Sequence, residues 1–315
     1  MMNGNSFPAT TPEMATERFI VKNESWAERF KANFNQFIVA PLEYSWPVIK
    51  LPLPPSRTSN HVLILVTAGQ VDITIGHQAY TVETQKLVIV PALQIFAIQA
   101  IREDSVGFMC FFSQELLLNS VSDTDFDFLK LTGNPLVSLS TSQTTYITNI
   151  FDRLTGEYNE NGSAKTDLIR PYLVALLVEI SRAYIGTMAT KTNAGDRLVQ
   201  RFMDLLPTQV RINRLVSHYA DQLNVSPNHL NKIIKFRTGK SPSVWIDERA
   251  VLEAKVLLFQ SSLTIAQVAH EMGFDDQSNF GKLFRKYAQV SPTDFRSRCA
   301  EPFVVTNGMI DSDLS

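Results

Sequence analysis

A chain of 315 residues with 44% hydrophobic and 19% charged residues is too long for one ordinary core and comfortable for two, and it carries no low-complexity tract or long charge run. The start is polar rather than basic then apolar, and the longest apolar run, Leu87 to Ile101, is interrupted by Pro91, Gln94 and Gln99, which argues against export and against a membrane span. Two cysteines far apart, Cys110 and Cys299, suit a reducing cytoplasm and exclude a disulfide scaffold.

The net charge of −2 is unevenly spread. Residues 1–196 hold 14 Lys+Arg against 19 Asp+Glu, whereas residues 197–300 hold 15 against 9. The basic excess therefore lies where a polyanion would be met.

In chain order, residues 1–17 read as a disordered segment. From about Gln36 to Phe112, short β-branched and aromatic runs alternate with turn residues: His61 to Thr67, Val71 to Ile75, Ala79 to Glu83, Lys86 to Pro91, Gln94 to Gln99 and Val106 to Phe112. Val71, Ile73 and Ile75 alternate with polar neighbours between Gly69 and Gly76, so antiparallel hairpins closing into a small barrel or jelly roll are predicted. Between Thr141 and Ile185 the period becomes helical. One stripe carries Ile147, Ile150, Phe151 and Leu154, and a second carries Leu168, Tyr172, Leu176, Ile180 and Tyr184. The second helix tolerates Pro171 if it starts near Leu168. Residues 18–185 form the expected first domain and residues 186–196 a linker. Residues 197–300 form the second domain, and residues 301–315 read as a disordered tail.

The second domain contains a repeat of about fifty residues. In its first copy Val216 to Leu223 is a short helix, Asn224-Val225 a turn, and Ser226 the cap of a helix running to Thr238 and stopped by Gly239. In its second copy Ile265 to Met272 is the short helix, Gly273 the turn and Gln277 to Tyr287 the second helix. Ala220 and Ala269 are small enough for the closest approach of two steeply crossing helices, and Asn224 and Gly273 suit a left-handed turn. The second turn is one residue longer. Ser243 to Gln260 lacks Gly and Pro and should join the two units as one uninterrupted helix.

On a helical wheel Leu230, Ile233 and Ile234 share one face of the first unit's second helix, opposite Asn228, Asn231, Lys232 and Lys235, with His229 at the edge. The second unit sets Phe280, Leu283, Phe284 and Tyr287 against Gln277, Ser278, Lys282 and Arg285. Asn and Gln pair with adenine edges in the major groove, while Lys and Arg reach guanine or phosphate. Two such units in tandem within a basic region point to a double-stranded DNA partner.

The stretch from Ala220-Asp221-Gln222-Leu223-Asn224-Val225-Ser226-Pro227 to Gly239-Lys240-Ser241-Pro242 resembles the AraC/XylS family of bacterial regulators. So do Ile265-Ala266-Gln267-Val268-Ala269 with Gly273-Phe274, Phe284-Arg285-Lys286, and Ser291-Pro292-Thr293-Asp294-Phe295-Arg296. The resemblance implies base reading by Asn228, Asn231, Lys232, Gln277, Ser278 and Lys282, and backbone contact by Arg285 and Lys286. It implies a transcription activator that contacts RNA polymerase. Gln289 stands where the family usually has a helix-ending glycine. The strand-rich part resembles the family's cupin-like effector and dimerisation domain through Gly76, Tyr80 and Val88 to Pro91, although Thr84-Gln85-Lys86 replaces the usual Pro-Gly-Asp turn. The expected fold is a multidomain α+β chain: a cupin-like antiparallel β-barrel with two helices, then an all-α tandem helix-turn-helix domain. A homodimer through the first domain, with Leu168, Leu176 and Ile180 on its surface, and a small-molecule effector in the barrel are further expectations.

A metal-dependent cupin enzyme fused to a DNA-binding module would need about three His with a carboxylate, and the N-terminal part has only His61 and His77, in no His-x-His pair. These read as strand-edge or turn residues, and Cys110 as a buried small hydrophobe. No catalytic residue, metal or cofactor is expected. A DNA-organising protein without effector control would carry arginine-rich arms or intercalating wedges, and none stands out.

Overall fold

A computed structural model describes residues 16–17, 19–20, 24–117, 126–130, 133–162, 166–187 and 194–300. The first fifteen and last fifteen residues, read as disordered from sequence, lie outside the described residues, as do 188–193 of the expected linker.

The N-terminal part opens with helix α1 (Glu24–Asn33), strand β1 (Phe37–Pro41) and the short helix α2 (Leu42–Ser45). The strands β2 (Ser56–Arg57), β3 (His61–Ala68), β4 (Gln70–Ile75), β5 (Gln78–Glu83), β6 (Lys86–Val90), β7 (Ile95–Ile101), β8 (Val106–Phe112) and β9 (Leu136–Ser138) follow. They form two antiparallel sheets, ordered β1-β8-β3-β6-β9 and β2-β7-β4-β5. The alternation read in β4 is the observed one, with Val71, Ile73 and Ile75 buried. Gly69 and Gly76 both take positive φ at its ends, and a Cβ on Gly69 would lie 2.5 Å from the Ser105 Cα. His61 and Cys110 are buried in β3 and β8, and His77 lies in the β4–β5 turn.

Helices α3 (Thr141–Asn161) and α4 (Thr166–Thr187) pack on each other and on this sandwich. Ser140 caps α3 in a reciprocal capping box with Gln143. Helix α4 begins two residues before Leu168, so Pro171 lies inside its second turn. Leu176 and Ile180 are fully buried in the chain's own core. Of the three residues expected on a dimer surface, only Leu168 remains exposed, because the α4 stripe is spent on covering α3 and the sheet.

Gly186 and Thr187 continue α4, and Ala194 already opens α5 (Ala194–Gln209), so helix occupies both ends of the expected linker. Then come α6 (Val216–Gln222), α7 (Pro227–Thr238), α8 (Pro242–Gln260), α9 (Ile265–Glu271), α10 (Gln277–Ala288) and α11 (Pro292–Ala300). A second apolar cluster, separate from that of the sandwich, unites these helices through Phe202, Tyr219, Leu230, Ile234, Ile246, Ala254, Phe280 and Phe284.

Candidate nucleic-acid interface

The two helix-turn-helix units are α6–α7 and α9–α10, joined by α8. Ala220 and Ala269 are buried where the helices of each pair meet, and Asn224 (φ 56°) and Gly273 (φ 70°) make the left-handed turns. Four residues separate α6 from α7 and five separate α9 from α10, which is the one-residue asymmetry read from the repeat.

Each recognition helix is capped at its start. The Ser226 hydroxyl accepts from the His229 N–H (3.2 Å), with Pro227 at the first helical position. The Asp276 carboxylate accepts from the Ser278 and Asn279 N–H groups (3.0 and 3.3 Å). Gly239 ends α7 in the left-handed conformation, and Gln289 ends α10 in the same one (φ 60°), with its side-chain amide donating to the Lys286 carbonyl at 2.9 Å. The departure from glycine therefore leaves the helix end in place.

Leu230, Ile234, Phe280 and Phe284 are buried, so each recognition helix turns its other face outward. Asn228, His229, Lys232 and Lys235 are exposed on α7, as are Gln277, Ser278, Lys282, Arg285 and Lys286 on α10. Asn231 is half-buried, and its amide donates to the Pro227 carbonyl at 3.0 Å. The Lys286 ammonium sits 4.8 Å from the Tyr287 ring centroid, and the Tyr287 hydroxyl donates to Asp247 (3.1 Å). Burial pushes the Asp247 carboxyl above its ordinary range. His218 is half-buried and bonded to Gln209 (2.9 Å).

Three features of this surface escape a sequence reading. In the loop between α5 and α6, Arg211 ion-pairs with Glu271, while Arg214 donates to the Gly273 carbonyl (3.1 Å) and lies 3.4 Å over the Phe274 ring. This loop staples the turn of the second unit to the first, and with Asn279, Lys282 and Lys286 it lines an open, cation-rich groove. Phe236 is 79% exposed on α7, beside the polar face. The third feature is the burial of Arg249, Glu253 and Gln260 along α8.

In the sandwich, a small apolar cavity of about 40 Å³ lies between the sheets, walled by Phe30, Phe34, Ile98, Met109 and Phe111, with Arg57 at its edge. His61 stacks on Phe112 and accepts from the Ala92 N–H at 3.0 Å, whereas His77 meets Trp245 edge-on. Burial lowers His61 to about 4 and His77 to about 3, and raises the Cys110 thiol, so all three are neutral at pH 7. Among the described residues no group of three or more His, Cys, Asp or Glu could hold a metal ion, and no helix is long and apolar enough to cross a membrane.

A family described as "Helix-turn-helix domain" matches residues 219–298. The arabinose operon regulatory protein of Escherichia coli is 33% identical over 86 residues, covering 27% of this chain and 30% of that protein. The lactose operon transcription activator of Staphylococcus xylosus is 24% identical over 137 residues, covering 44% and 49%. The chain thus spans half or less of the length of these curated relatives. Among solved structures, unsaturated-fatty-acid-bound ToxT from Vibrio cholerae aligns with 82% of this chain and 94% of its own, at 13% identity and a TM-score of 0.41. The similarity to these regulators lies in the C-terminal part of the chain, where residues 219–298 match the helix-turn-helix domain family.

Proposed function

We propose that the protein is a sequence-specific regulator of transcription, an activator, that reads two successive major grooves of double-stranded DNA with α7 and α10. The observation that carries this reading is the pair of capped helices with exposed Asn, Gln, Lys and Arg side chains, tied to a single 19-residue helix, α8. At 1.5 Å per residue α8 is about 28 Å long, close to the ~34 Å of one duplex turn, which suits two recognition helices entering the same side of the DNA.

In this reading Asn228, Gln277 and Ser278 address base edges, together with Asn231 once its amide leaves the Pro227 carbonyl. Lys232 and Lys282 serve bases or phosphates. His229, Lys235, Arg285 and Lys286 serve the backbone. The protein works in the cytoplasm, contacts RNA polymerase at its promoters, forms a homodimer through the sandwich and has no catalytic role. The apolar lining of the cavity between the sheets supports a small apolar effector as the ligand of the sandwich. Footprinting of the tagged protein across a genome, followed by expression profiling of a deletion strain, tests the reading. Discrete sites upstream of genes whose transcription falls in the deletion support it, and uniform occupancy would contradict it.

A further inference from the structure

Helix α8 buries far more than a spacer between two units requires. Ile246, Ala250, Ala254, Leu257 and Leu258 face the core of the C-terminal helices. A second buried stripe, Arg249, Glu253, Val256 and Gln260, recurs at the intervals of one helical face and turns away from that core. It meets strand β2 of the sandwich. The Arg57 guanidinium donates to both oxygens of Glu253 (2.7 and 2.8 Å), and Arg249 donates to the same carboxylate (3.0 and 2.7 Å). The Gln260 amide docks on the Arg57 backbone twice, accepting its N–H and donating to its carbonyl, both at 3.1 Å. Phe259 stacks on Phe19 at 5.9 Å, and Trp245 closes the contact against His77. Arg57 and Glu253 are each about 1% exposed, so this ion pair is desolvated, directional and intolerant of sliding. Arg57 also donates to the Leu93 carbonyl (2.8 Å) and edges the apolar cavity. One side chain therefore touches the cavity, a sandwich loop and the joining helix.

We propose that Arg57 is a positioning residue for DNA recognition, locking α8 to the sandwich so that the two parts hold one orientation and the sandwich dictates the spacing of operator sites that two chains can occupy together. The docked arrangement leaves the polar faces of α7 and α10 exposed, so the lock sets geometry rather than masking the DNA surface. The inference rests on the DNA-binding reading above for its consequence, but the lock itself is measurable without DNA.

The test uses the full chain with Cys299→Ser and spin labels at Glu103→Cys on the sandwich and Asp221→Cys on α6, both exposed positions. Electron–electron distance measurements without DNA should give one narrow distribution in the parent and a broad one in Arg57→Met, which leaves Glu253 paired with Arg249. Arg57→Lys should restore most of the narrow population. Gln260→Ala, which removes no charge, should broaden it as well and guards against misfolding of the first variant. Narrow distributions in both Arg57→Met and Gln260→Ala would overturn the lock. On DNA carrying two sites, five added base pairs turn one site by half a helical turn. That insertion should weaken parent binding about tenfold and Arg57→Met binding less than about threefold. Equal sensitivity in the two proteins would overturn the spacing role while leaving the lock standing. Absence of DNA binding in the parent would sink the DNA-binding reading itself.

Discussion

Replacing Lys286 by Ala separates phosphate contact from folding and from base reading. Five exposed cations line the outer faces of the recognition helices: Lys232, Lys235, Lys282, Arg285 and Lys286. If each neutralises one phosphate, the logarithm of affinity falls with the logarithm of salt at a slope of about −4.5, and raising salt from 50 to 200 mM weakens binding about 500-fold. Without Lys286 the slope falls to about −3.6 and the same change costs about 150-fold. The side chain is exposed and leans on Tyr287, so its loss should leave the thermal midpoint within about 1 °C of the parent. Fluorescence anisotropy with a specific duplex and a scrambled one, at four salt concentrations, reads both quantities. Weaker binding to both duplexes alike, with the smaller slope, is the expected result. An unchanged slope, or a loss confined to the specific duplex, would refute the assignment.

Gln277→Ala and Asn228→Ala should each cost about 1–3 kcal/mol at one or two base positions and flatten preference there, as read by binding to a library of single-base variants. Equal losses on specific and random DNA would contradict this. Gln289→Gly should stabilise the C-terminal part by about 0.5 kcal/mol, raising its midpoint by a few degrees in calorimetry, since glycine takes the observed left-handed φ without steric cost and loses only the amide contact to Lys286. A lower midpoint would show that the side-chain contact outweighs the backbone gain. His61 and His77 have folded values of about 4 and 3, below the ordinary 6.5, so the unfolded chain binds more protons. Stability should therefore be full above pH 6.5 and fall by about 1.4 kcal/mol per pH unit per histidine as pH drops toward 4. Urea midpoints at pH 7.5 and 5.0 check this, and a pH-independent midpoint in a His61→Phe/His77→Phe double variant would confirm the source.

The helix-turn-helix pair was legible because its determinants are local. Ala220, Asn224, Ser226 and Gly239 act within a few residues of themselves, and Ala269 and Gly273 repeat the first two, whereas the Asp276 cap of α10 emerged only with the structure. Strand alternation likewise located β3 to β8 to within two or three residues. What escaped the sequence depends on which surface meets which. The α4 stripe of Leu176 and Ile180 reads the same whether it is covered by a second chain or, as here, by the chain's own core. Arg57 lies in a two-residue strand that no periodicity can reveal, and its partner is 196 positions away. Arg249, Glu253 and Gln260 share one face of α8, but polar residues so spaced ordinarily face water, and it is the pairing of Glu253 with Arg57 and Arg249 and of Gln260 with the Arg57 backbone that makes their burial tolerable. The Arg214 contact with Phe274 was hidden for the same reason, with an irregular loop supplying the cation.

Hydroxyl-radical footprinting of the protein on a single operator site shows whether one chain reads two adjacent grooves through helices fixed on α8. Two short protected windows about 10 base pairs apart on the same face of the duplex, both lost together when salt is raised, are the expected result. One window alone, or two on opposite faces, would contradict it.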